Sequence, residues 1–132
     1  RRMGFRIVTP DGTDGILAHS ECNSNYKVGK YRVDLDSFEK VAIPALEDAI
    51  KNKSIVVIDE IGTMELFSMR FKELVSKILN SEKTLLCTIK ENGDVFTEDI
   101  KKRKDVTLVT VNYENRETLP EKVFEMLRTT KN

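Results

Sequence analysis

Ile55-Val56-Val57-Ile58 is an unbroken apolar run that ends in two carboxylates, Asp59-Glu60, followed by Ile61-Gly62. A half-exposed strand alternates polar and apolar residues. A run with no polar position therefore reads as a strand apolar on both faces, the mark of a parallel sheet covered by helices. Parallel neighbours cannot be joined by a tight turn and need a long crossover, usually helical. The rest of the chain should then alternate strands with helices.

The periodicity agrees. Residues 5–9 and 15–19 flank Pro10-Asp11-Gly12, where proline pre-sets φ and glycine is free to take a positive φ. They predict a hairpin, and residues 20–31 follow as a polar, irregular stretch. Asp36-Ser37-Phe38-Glu39 has the capping-box spacing, and Phe38, Val41, Ala42, Ala45, Leu46, Ala49 and Ile50 make a helical stripe. Pro44 lies inside that stripe and predicts a kink or two short helices, because an interior proline costs ~3 kcal/mol. Ser68 should cap a second helix on Phe71, Leu74, Val75, Ile78 and Leu79, with Asn80 as its stop. Residues 84–89 read as a second buried strand, 94–102 as a short helix and 106–111 as a third strand. Thr118-Leu119-Pro120-Glu121 is another capping box, opening a helix on Leu119, Val123, Phe124 and Leu127. The fold class is α/β, a mainly parallel sheet flanked by helices with right-handed crossovers, in one domain over residues 1–132.

Composition removes several function classes. Twenty-two basic and twenty-two acidic residues cancel, unlike the basic surplus of a nucleic-acid-binding chain, and nucleic acid is not an expected partner. No apolar run approaches the ~20 residues of a membrane span, and no signal-peptide pattern opens the chain at Arg1. Cys22 and Cys87 lie far apart and, with the single His19, match no zinc spacing. They read as buried free thiols of a cytoplasmic protein, His19 as a surface strand residue, and Met64, Met69 and Met126 as packing residues.

Chemistry concentrates at Asp59-Glu60. Open α/β sheets bind ligands off the C-terminal edge of their strands. An aspartate there can hold Mg²⁺ through oxygen, usually via water. An acid one residue on can polarise an attacking water, and Gly62 permits a tight turn close to a ligand. This is the Walker B pattern of P-loop nucleoside triphosphatases. Taken alone, it equally describes a buried strand ending in two solvated acids.

The continuation carries more. Residues 59–68, DEIGTMELFS, closely resemble one small family, the thermostable nucleoside triphosphatases of bacteria and archaea with their human cancer-related relative. Gly4-Phe5-Arg6, Tyr31-Arg32-Val33-Asp34, residues 38–49 with their proline, and Asn115-Arg116 match as well, so the resemblance runs in order along essentially the whole chain. It departs at one place. Family members begin with a strand and a phosphate-binding loop, GxxxxGK[ST], and these 132 residues contain none. Gly29-Lys30-Tyr31 is no substitute, because Ser24 stands where the first glycine belongs and a tyrosine where Mg²⁺ needs Ser or Thr. The chain, which begins at Arg1, reads as a processed form or a piece of something longer, a P-loop-type core without its first strand and phosphate loop. By itself it is expected to be inactive, with a strand edge unpaired.

The resemblance implies Mg²⁺-dependent conversion of ATP, GTP and other nucleoside triphosphates to diphosphate and phosphate, in the cytoplasm. Asp59 would organise Mg²⁺ and Glu60 would orient the water. In Lys101-Lys102-Arg103-Lys104, Arg103 or Lys102 is either an arginine-finger-like cation or a basic helix end that complements the helix dipole. Asn115 and Arg116 are either contacts to the nucleotide base or ribose, or a loop cap and an exposed charge. Thr88 is either a contact to the γ-phosphate or its water, or a plain strand residue; Glu65 either joins the Mg²⁺ site or starts a helix. Two other classes stay open. A nucleotide or nucleoside kinase shares this core but needs an acceptor site and an arginine-rich lid, and the basic cluster here is short. A non-catalytic nucleotide-binding or regulatory module would keep the fold without the loop.

Overall fold

The computed structural model describes residues 2–129, and the chain divides into two compact units, residues 1–98 and 99–132. In the first, β1 (Gly4–Val8), β2 (Asp14–His19), β3 (Lys27–Val28) and β4 (Tyr31–Val33) form an antiparallel sheet in the order β1-β2-β4-β3. The hairpin turns at Gly12, whose φ is 91°. Asp11 accepts the Thr9 hydroxyl at 2.5 Å and the Thr13 N–H at 3.0 Å, and these bonds hold its carboxyl down at about 2. β3 and the first residue of β4 fall in the stretch 20–31 read as irregular. Strands of two and three residues are too short to show a period.

The helix α1 (Leu35–Asn52) is capped by Asp34, whose side chain accepts the Ser37 N–H at 3.0 Å, so it begins ahead of the expected Asp36 box. The Ser37 hydroxyl accepts the Ile16 N–H at 3.0 Å and ties the helix to β2. Pro44 does not divide it. Both Pro44 and Lys40, whose carbonyl loses its partner, are exposed, so water can satisfy the orphaned oxygen.

Next come β5 (Ile55–Ile61), a 3-10 turn at Glu65–Phe67, α2 (Met69–Leu79) and β6 (Thr84–Ile89). β5 and β6 pair in parallel, Val56 opposite Leu85 and Ile58 opposite Cys87, with an irregularity before Ile61 meets Ile89. Ser68 caps α2 by accepting the Phe71 N–H at 3.0 Å, and Asn80 closes it. Phe38, Val41, Ala42 and Leu46 of α1, Phe71, Leu74, Val75 and Ile78 of α2, and Val56, Ile58 and Ile61 of β5 are buried. The Phe38 and Phe71 rings meet edge-on at 5.5 Å. This is the expected α/β arrangement of a parallel sheet with flanking helices. Two expectations are corrected: β5 is buried on a single face, with Ile55 and Val57 on the other 42% and 64% exposed, and β6, expected buried, is half-buried with Thr88 exposed.

Helix α3 (Val95–Lys101) follows Asp94, which accepts the Thr97 N–H at 3.0 Å, and its last three residues are counted with the second unit. In the second unit α4 (Leu119–Thr129) begins directly after Thr118, as its capping box predicts. Two expectations fail there. Residues 106–111 form no strand, because they find no ladder partner among the described residues and a lone strand cannot satisfy its own backbone. The α4 stripe is not buried, and Phe124 is 59% exposed. Met126 is exposed with it, and so is Met69, which opens α2 outside its buried stripe, whereas Met64 is half-buried. Cys22 and Cys87 are free and half-buried rather than buried, and burial pushes the Cys87 thiol up. Among the described residues no helix is long and apolar enough to cross a membrane.

Candidate active site

β5 carries Asp59 and Glu60 out at its C-terminal end, joined by a cis peptide and both exposed. The Thr88 hydroxyl, from the matching end of β6, donates to Asp59 Oδ1 at 2.6 Å. A carboxylate that accepts this bond on one oxygen keeps further lone pairs open to solvent or a cation. Gly62 plays a different part from the one expected. Its φ is not positive, and what matters is space: a Cβ there would lie 3.2 Å from Glu60 Cγ, Cδ and Oε2. The missing side chain leaves room for the Glu60 carboxylate.

After Gly62 the chain tightens, with the Leu66 N–H on the Gly62 carbonyl at 3.1 Å and the Ser68 N–H on the Glu65 carbonyl at 3.1 Å. Glu65 begins this 3-10 turn and is half-buried. Burial first, and then the charges of Glu60 and Asp59, push its carboxyl up, against the N–H groups of Glu65 and Gly62. Ser68 is fully buried, and its hydroxyl donates to Glu39 Oε2 of α1 at 2.5 Å.

Lys90, one residue beyond β6, reaches the same turn. Its N–H donates to the Ile61 carbonyl at 3.2 Å, and its ammonium donates to the Thr63 hydroxyl at 2.6 Å. The sequence reading missed it, since a single lysine in a polar loop matches no motif. Its place just past a strand's C-terminal end is the signal that could have found it.

Of the residues singled out from the sequence, the structure brings Thr88 onto Asp59, places Glu60 at the end of β5 and Glu65 in the 3-10 turn that follows it. Lys102, Arg103, Asn115 and Arg116 belong to the second unit. There Arg103 grips Asp105 with two bonds, Nε to Oδ1 at 2.9 Å and Nη2 to Oδ2 at 2.8 Å. That pairing raises the guanidinium's pKa and lowers the carboxyl's. Lys102 is an exposed helix-end residue whose N–H donates to the Asp99 carbonyl at 3.3 Å. Asn115 holds its own loop, Nδ2 to the Thr110 carbonyl at 2.7 Å and Oδ1 from the Asn112 N–H at 2.9 Å. The Arg116 guanidinium lies 4.9 Å from the centre of the Tyr113 ring.

An acidic strand end tied to its parallel neighbour is common to many α/β proteins, so comparison decides the family. A family model described as NTPase matches residues 1–124. The chain belongs to the NTPase family. This NTPase-family chain is 44% identical over 128 residues to nucleoside-triphosphatase THEP1 of Thermotoga maritima, a match spanning 97% of this chain and 74% of that protein. It is 40% identical over 136 residues to the human cancer-related nucleoside-triphosphatase, across 90% of this chain and 70% of the human one. The crystal structure of THEP1 from the hyperthermophile Aquifex aeolicus superposes with a TM-score of 0.91 at 34% identity, covering 96% of this chain and 78% of that one. The NTPase fold is therefore the α/β fold described above.

Proposed function

We propose that this chain carries the hydrolytic, metal-organising part of a nucleoside triphosphatase that converts a nucleoside triphosphate and water to the diphosphate and phosphate. The observation that carries the reading is the pair of exposed acids at the end of β5, Asp59 fixed by Thr88 and Glu60 given room by Gly62, in a chain of the NTPase family. The relatives named above are nucleoside-triphosphatases, which supports ATP, GTP and similar triphosphates as the substrate class. Free Cys22 and Cys87 support a reducing, cytoplasmic setting.

The donor set suits Mg²⁺. Mg²⁺ is commonly held by one or two carboxylates with water and substrate phosphates, and the exposed Asp59 carboxylate is a donor of that kind. Asp59 would hold it, with Thr88 fixing the carboxylate's orientation, and when bound the ion would neutralise charge on the phosphates. Glu60 would take a proton from water, whose oxygen bonds to the terminal phosphorus as the bond to the bridging oxygen breaks and the diphosphate leaves. Glu65, whose half-burial favours its protonated form, completes the acidic edge. For Arg103, with Lys102 beside it, we propose a contact to the developing phosphate charge, and for Asn115 and Arg116 one to the base or ribose. The support for these contacts is the sequence resemblance.

These 132 residues contain no GxxxxGK[ST] loop, so the tests use a loop-containing protein in which the family's strand and loop precede Arg1, with the 132-residue chain alone as a background control. Phosphate release is followed with several triphosphates, with and without Mg²⁺ and with and without acceptor nucleosides. Glu60→Gln should retain nucleotide binding and lose ~10²–10⁴-fold in kcat. Asp59→Asn should weaken the Mg²⁺ dependence of binding as well as the rate. Near-full kcat in Glu60→Gln removes it from the mechanism, and transfer to a nucleoside instead of water makes the protein a kinase.

A further inference from the structure

We propose that Lys90 is a phosphate-binding residue, a lysine presented at the acidic edge to the terminal phosphate groups of the substrate; the proposal deepens the nucleoside triphosphatase reading and rests on it. Lys90 follows the last residue of β6, at the edge where open α/β sheets hold ligands. Two side chains two residues apart, Thr88 and Lys90, cross from the end of β6 toward the end of β5, the first to Asp59 within that strand and the second to Thr63 just beyond it. The backbone between is fixed by the Lys90 N–H on the Ile61 carbonyl. The ammonium is thus anchored at both ends of its residue, a preorganised position for a long side chain that would otherwise lose much rotamer freedom on binding.

Its partner is chemically informative. An ammonium has three protons to donate. The bond to Thr63 engages one of them with a neutral hydroxyl. Although Asp59 and Glu60 end the neighbouring strand and Glu65 lies in the turn after it, no carboxylate among the described residues lies within ion-pair distance of Lys90. A lysine serving only to neutralise the acids would pair with one of them. A lysine held beside them on a hydroxyl keeps protons for an anion that arrives later. Phosphate oxygens, rich in charge and lone pairs, are that class of acceptor, and a compact ammonium binds them as a point charge.

The first arm of the test uses the 132-residue chain and magnesium pyrophosphate, with inorganic phosphate alongside, following lysine side-chain NMR signals. A saturable shift of the Lys90 signal with pyrophosphate is expected, absent in Lys90→Met and recovered by a binding signal in Lys90→Arg. No shift of Lys90 overturns the proposal. The second arm measures kcat and KM in the loop-containing protein. Lys90→Met should lose about 10²-fold in kcat, with Lys90→Arg recovering most of it and thermal melts confirming the fold. Thr63→Val removes the anchor and keeps the charge, so its loss should be much smaller. Equal losses in Lys90→Met and Thr63→Val with no rescue by arginine would make Lys90 a clasp for the turn and overturn the proposal. If the unmutated loop-containing protein releases no phosphate while the pyrophosphate shift persists, the hydrolase reading fails and the phosphate contact stands.

Discussion

The Thr88 hydroxyl and the Asp59 carboxylate meet at 2.6 Å, so β6 and β5 are joined by side chains at the edge where their ladder ends. One oxygen of Asp59 is thereby fixed, and a fixed carboxylate binds a hard cation with less reordering. Thr88→Val keeps the shape and removes the donor. It should weaken the Mg²⁺ dependence of phosphate release by ~10-fold, within the range seen when partners of metal-binding groups are lost. Thr88→Ser should behave like the parent. Magnesium titrations of the three proteins settle it, and identical curves would return Thr88 to plain strand duty.

Gly62→Ala tests whether space beside Glu60 matters. The new methyl carbon would sit 3.2 Å from three atoms of that side chain and displace the carboxylate by a few tenths of an ångström. Small misplacements of a reacting group are costly in rate. The expected result is a fall in kcat of about tenfold with a small change in Tm, in contrast to Leu74→Ala in the core, which should cost ~2–5 kcal/mol of stability. A matching loss of Tm in Gly62→Ala would mean that the turn, not the carboxylate, needs the glycine.

Glu65 should make stability fall as pH rises. Its folded pKa is raised above the ordinary 4.5 by burial and by the charges of Glu60 and Asp59. The folded state therefore holds the proton more tightly than the unfolded chain, and that advantage is complete below the ordinary value and lost as pH climbs through the raised one. Glu65→Gln should flatten this part of the Tm profile and be the more stable protein at neutral pH. Parallel profiles for the two proteins would show that its burial has no energetic consequence.

Val57, 64% exposed on the uncovered face of β5, should be an association site, since apolar strand residues open to solvent invite pairing between molecules. Val57→Thr should lower the aggregated fraction seen by light scattering, with a stability change within about 0.5 kcal/mol. The same change at Val56, 3% exposed on the covered face, should destabilise the fold. Unchanged aggregation in Val57→Thr would place the sticky surface elsewhere.

The parts legible in the sequence were those with local causes. Ser68 caps α2 with its own hydroxyl, the Phe71, Leu74, Val75 and Ile78 stripe is contiguous, and β5 announces its acidic end in eight consecutive residues. The failures involve partners distant in sequence. The box from Asp36 to Glu39 does not form because Glu39 receives the Ser68 hydroxyl, 29 residues away, and Asp34 caps α1 instead. Residues 106–111 have a strand's composition but no neighbour to pair with among the described residues, and composition cannot supply one. Pro44 is harmless because it lies on the solvent side, which a pattern of apolar residues records only by omission. Lys90 was invisible because its meaning depends on Thr63, across the gap between two strands.

Ser68 also has a mechanical consequence. Its hydroxyl caps α2, gives its one proton to Glu39 of α1, and lies out of reach of water. Sliding one helix past the other would strand a buried hydroxyl and a half-buried carboxylate together, with no solvent at the hydroxyl to replace the bond. The two helices are therefore geared to each other and shift as one piece. The turn from Gly62 to Phe67, fastened to Ser68 through the Glu65 carbonyl, travels with them. A substitution at Glu39, on the far side of that coupling, should therefore be felt at the turn that follows Asp59 and Glu60.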